Sequence, residues 1–118
     1  MPVLNRAAVI LRYREPAVRW INQADPDVDG PEIGLKAANE EATVHLISDE
    51  DGDGPNAVNQ WLKGNYQELF ESELEEWYSD PELWPADRTL ELFRAWFDVE
   101  CHSVIVDTVG GQIYDDED

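Results

Sequence analysis

A single cysteine, Cys101, stands in the 118 residues, which excludes an intramolecular disulfide and any zinc site built on two or more cysteines. Basic charge is equally scarce. Eight Lys and Arg face 27 Asp and Glu, for a formal net charge of −19. Neutralising phosphates takes a basic face, so direct binding of nucleic acid is excluded. Long apolar runs are missing too: Ala7 to Leu11, held between Arg6 and Arg12, is too short for a leader core or a membrane span. An acidic surface is also repelled by anionic lipid. G-x-G-x-x-G, Walker, G-x-S-x-G and H-E-x-x-H patterns are all absent, which removes the common nucleotide-binding and hydrolase signatures.

What is present is enough for a core. Hydrophobic residues make up 42% and aromatics 10%, which argues against disorder despite the charge. The length fits one domain. Of the eight cations only Lys36 and Lys63 are lysine, and acid is spread along the whole chain. Such like charge opposes the compact state in dilute salt and is screened in concentrated salt. Few lysines and abundant carboxylates therefore suit a protein dissolved in a salty cytosol. We expect a cytoplasmic chain whose acidity reports its solvent.

Ala7 to Tyr13 alternates as a strand, with Ala7, Val9, Leu11 and Tyr13 on one face and Ala8, Ile10, Arg12 and Arg14 on the other. Glu15-Pro16 opens a short helix that Asp25-Pro26 ends. A weak helix is expected over 32–41 and a second strand over Thr43 to Ser48. The best-determined element is a helix from Asn56 to Tyr78, whose apolar stripe runs Val58, Trp61/Leu62, Tyr66, Leu69/Phe70, Leu74 and Trp77. One further turn follows the Ser79-to-Glu82 capping box. Asp87 or Thr89 caps a helix through Asp98, with Leu90, Phe93, Trp96 and Phe97 inward. A third strand is expected over Val99 to Thr108, centred on Ser103 to Val106. Gly110-Gly111 then turns Gln112 to Tyr114 back as a hairpin arm. The order β-α-α-β-α-α-β gives an α+β fold: a small three- or four-stranded sheet with helices packed mainly on one face. Residues 1–114 form this single domain and 115–118 a frayed acidic tail.

Two loops share one grammar, Asp25-Pro26-Asp27-Val28-Asp29-Gly30-Pro31 and Asp49-Glu50-Asp51-Gly52-Asp53-Gly54-Pro55. Both resemble the first half of the EF-hand calcium loop, in which alternate carboxylates converge on a cation before a sharp glycine turn. The resemblance implies Asp49, Asp51 and Asp53, or Asp25, Asp27 and Asp29, as weak calcium ligands. It covers seven residues. The bidentate Glu at the twelfth position is replaced by Lys36 in one loop and Gln60 in the other. No other cofactor is expected.

Cys101 and His102 are neighbours, but on a strand they point to opposite faces. An enzyme would need one of them in a cleft with a base, and His45 on another strand could meet either. The excess negative charge disfavours a thiolate, so Cys101 reads as a buried structural residue and no catalytic role is assigned. Arg6, Arg12, Arg14 and Arg19 hold half of the cations and are expected to pair with the chain's own acid. Glu68, Glu71 and Glu75 form one helical row with Glu73 and Glu76 alongside, the germ of a nucleic-acid mimic. Binding to another protein is the leading expectation, with Trp77, Tyr78 and Trp84 as hot spots at a helix end.

Overall fold

The computed structural model describes residues 2–27 and 30–116. These residues form a three-stranded antiparallel sheet and four α-helices, an α+β architecture. β1 (Arg6–Tyr13) is central, flanked by β2 (Val44–Ser48) and β3 (Phe97–His102). α1 (Glu15–Gln23) and the single turn α2 (Leu35–Ala38) follow β1. α3 (Pro55–Trp77) leaves β2, and α4 (Leu90–Trp96) runs straight into β3.

Alternation decides which face of β1 is covered. Ala7, Val9, Leu11 and Tyr13 are buried against the helices, together with Ile47 of β2 and Phe97 of β3. Their layer meets Val58, Leu62, Leu69, Phe70 and Leu74 of α3 and Phe93 and Trp96 of α4. Ile10, Val44 and Leu46 lie on the opposite face, and no helix covers them. Ala8 shares that face yet is buried, because its methyl is overshadowed by its cross-strand neighbours Leu46 and His102.

α3 is continuous through Gly64, where a Cβ would meet nothing within 4 Å. The glycine's cost of about 1 kcal/mol is outweighed by the apolar contacts on either side. Asp80, not Ser79, caps the next turn, a 3-10 helix over Pro81–Leu83. Thr89 caps α4 by accepting from the Leu92 N–H at 3.1 Å.

The third strand departs from the sequence expectation. It begins at Phe97, ends at His102, and takes its register from β1, from Tyr13↔Phe97 to Ala8↔His102. The β-branched stretch Ser103 to Val106, expected at its centre, lies beyond that partner. It is held by an isolated bridge between Val3 and Val106, with the Leu4 N–H donating to the Ile105 carbonyl at 2.7 Å. Pairing with β1 overrides local propensity here. The expected arm at Gln112 to Tyr114 is not a strand among the described residues, and Ile113 and Tyr114 are exposed. Of the expected frayed tail, residues 117 and 118 lie outside the described residues. No described helix is long and apolar enough to cross a membrane.

Candidate functional site

His45, Cys101 and His102 are not brought together. Val9 faces His45 on one side and Cys101 on the other, so these two share the inner face but stand two strand spacings, about 10 Å, apart. His102 points to the outer face and meets Glu100 at 2.8 Å. The neighbouring imidazole and Arg12, 3.3 Å away, hold the Glu100 carboxyl below the usual carboxylate range. Cys101 is half-buried, not buried, and burial pushes its thiol up from its ordinary value. It lines a cavity of about 480 Å³ between β3 and the start of α3, floored by Val58, Leu62 and Phe97. Neither histidine lines that cavity, so the thiol has no imidazole base there.

Asp49, Asp51 and Asp53 do not converge. Among the described residues no three His, Cys, Asp or Glu side chains form a group able to hold a metal ion. Asp51 accepts from the Ser48 hydroxyl at 2.9 Å, and its own N–H returns to Ser48 Oγ at 3.1 Å. The loop's glycines serve the fold. A Cβ on Gly52 would fall 2.3 Å from that of Ala7, so only glycine lets the loop pass β1. Gly54, at φ 91°, turns the chain into α3 with Pro55 at its first position. The glycines and proline of this loop are strand-to-helix punctuation. In the first loop the Asp27 N–H donates to Asp25 Oδ1 at 2.9 Å, while Asp29 lies outside the described residues.

Trp77, Tyr78 and Trp84 are half-buried, with their polar ends spent inside the protein. Trp77 Nε1 donates to the Tyr13 hydroxyl at 2.8 Å and Trp84 Nε1 to the Tyr78 carbonyl at 2.8 Å. The Tyr78 hydroxyl donates to the Ile21 carbonyl, and Arg88 lies over the Trp84 ring. These half-buried rings help close the helical layer. In the glutamate row Glu68 and Glu75 are exposed and Glu71 pairs with Arg88 at 3.3 Å, while Glu73 alongside turns into the core. Of the N-terminal arginines, Arg12 pairs with Glu100, whereas Arg6 and Arg14 turn to the backbone carbonyls of Asn5 and Arg94.

Sequence reasoning missed a buried polar cluster. Glu73 is the only buried charged residue among those described, at 5% exposed. The Tyr13 hydroxyl donates to Glu73 Oε2 at 2.6 Å, and His45 Nε2 lies 3.8 Å from Oε1. That nitrogen is buried without a hydrogen-bond partner. Burial first, then the Glu73 charge, raise the Tyr13 hydroxyl well above its ordinary value, so it stays protonated as the donor. A signal existed: Glu73 falls in the apolar stripe, four residues after Leu69 and four before Trp77.

The surface left open is the outer face of the sheet at β2. Val44 is 53% exposed and Leu46 50% exposed, beside half-buried Ile10. β2 is an edge strand, and among the described residues no second segment pairs with it. It lacks the usual protections of an edge, since Val44–Ser48 contains no lysine, proline or carboxylate. On the β1–β2 part of this face stand Arg6, Ala8, Ile10, Arg12, Val44, Leu46 and Ser48. None of them is acidic.

No protein-family model, curated protein or solved structure matches the chain.

Proposed function

We propose that this domain is a protein-binding module that receives an extended segment along the open edge of β2. The carrying observation is the pairing of an unprotected strand edge with an apolar outer face at Val44, Leu46 and Ile10. Added strands gain affinity from backbone hydrogen bonds and specificity from alternate side chains. The preferred ligand has apolar residues at alternate positions. An acidic residue on the segment near the Ser48 end of β2 is favoured, because Arg6 stands there opposite Ser48, whereas Arg12 is already paired with Glu100.

A peptide-display selection tests this. Selected peptides should alternate apolar and polar residues, and Leu46→Lys should weaken them by about tenfold or more, since a lysine on an edge opposes strand addition. Peptides that bind the lysine variant equally well would overturn the reading.

The rest of the surface is read as adaptation to a salt-rich cytoplasm. Melting temperature should climb steadily between about 0.1 M and 2 M KCl, as the screening length falls from about 10 Å towards 3 Å. A flat or falling melting temperature in that range would assign the acidity to something other than the solvent.

A further inference from the structure

The binding edge just described has a counterpart in the same chain. After Val106 the chain carries Val109 at 92%, Ile113 at 68% and Tyr114 at 75% exposed, followed by Asp115 and Asp116. Exposed apolar side chains in an otherwise charged surface mark an interaction element. Gln112 to Tyr114 is a strand-forming segment that joins no sheet, while β2 is an edge that holds no added strand. Their chemistry is complementary. The segment is apolar and acidic; beside β2 the face is apolar at Val44, Leu46 and Ile10 and carries Arg6, which meets the Asn5 carbonyl, whereas Arg12 is already paired with Glu100.

Resting on the edge-binding reading, we propose that the occupant of β2 is the 108–116 segment of a second copy of this chain, exchanged reciprocally in a dimer. The fold directs the segment outward. β3, from which it emerges, lies on the opposite edge of the sheet from β2. Pairing with residues 2–4 then holds 105–107, through Leu4 N–H to the Ile105 carbonyl at 2.7 Å and Asp107 N–H to the Pro2 carbonyl at 2.9 Å. Val3 and Leu4 and the acidic Asp49–Asp53 loop lie together with Ser103 at the end of the sheet where the segment starts, between it and its own β2. A second copy offers the same edge without these residues in between. Exchange between identical chains needs no new surface on either one.

The test is the solution mass of the full chain in about 2 M KCl, where self-repulsion is screened, at about 0.1 mM, a range in which even small interfaces associate. The wild type should show twice the 13.5 kDa of one chain. Leu46→Lys alone, and Ile113→Asp with Tyr114→Asp, should each return the mass to that of one chain. Mixed in equal amounts, the two variants should associate again, because one intact segment then meets one intact edge. All substituted side chains are at least half exposed. Unchanged melting curves should show that folding is retained, and Val44→Lys replaces Leu46→Lys if that variant melts early. Association lost in the edge variant but kept in the segment variant would mean that β2 edges pair directly, overturning the exchange and sparing the edge. A monomeric wild type, or a mixture that stays monomeric, would also overturn it. Peptide selection on the monomer would then decide separately whether the edge binds anything.

Discussion

Phe70→Ala should cost about 4 kcal/mol, the largest single loss of any core position. The ring is fully buried and meets Phe93, Trp96 and Phe97 edge-on, with centroids 5.7, 5.4 and 5.7 Å away. It therefore links α3 to both α4 and β3, and removing it loses transfer energy and leaves a cavity that these three elements cannot collapse to fill. Each edge-on pair is worth about 0.5–1.5 kcal/mol beyond burial, which places this site high in the usual Phe→Ala range. Small domains have about 5–15 kcal/mol in all. The variant should consequently be largely unfolded in dilute buffer and refold in concentrated KCl. Urea unfolding in about 2 M KCl measures the loss, and a cost below about 1 kcal/mol would mean that the aromatic layer is not the core.

The layer was legible because its signal is local. Leu69/Phe70, Leu74 and Trp77 repeat at helical spacing, and Ala7, Val9, Leu11 and Tyr13 alternate, so both the helix and its opposing strand face can be read from neighbours in the chain. The limits of β3 were not. Ser103 to Val106 has the better strand composition, but Phe97–His102 has the partner, and which residues meet β1 depends on a register that no local pattern encodes. The same holds for the open edge. The sequence contains three strands, yet β2 is an open edge only because β3 occupies the other side of β1. At Asp49 to Asp53 the glycine and proline have a structural role that the spacing alone does not reveal, one packed on Ala7 and the other starting α3. Glu73 lay hidden among many acids, and only its position in the stripe separates it from the solvated ones.

That buried carboxylate gives the second large expected effect. Tyr13→Phe removes the hydroxyl that donates to Glu73 at 2.6 Å and accepts from Trp77 Nε1 at 2.8 Å. It leaves Glu73 buried with only His45 Nε2 nearby, at 3.8 Å, and strands the indole N–H. Breaking a buried charged contact from one side costs about 3 kcal/mol or more, because the remaining charge stays desolvated. Tyr13→Phe combined with Glu73→Leu should recover much of this, with about 2 kcal/mol of coupling between the two positions. Alkaline pH offers an independent reading. The Tyr13 hydroxyl is held far above its ordinary value of 10.0, by burial and then by the Glu73 charge. With the folded-state value raised, the unfolded chain releases this proton first. The contribution is therefore complete below about pH 10 and is lost as pH rises beyond it, at about 1.4 kcal/mol per pH unit. Urea unfolding from about pH 9 to pH 11 should show that decline in the wild type, and a flatter profile by this amount in Tyr13→Phe. Equal slopes in the two proteins would mean that Tyr13 ionises as freely in the fold as in water, and that Glu73 is not held by its proton.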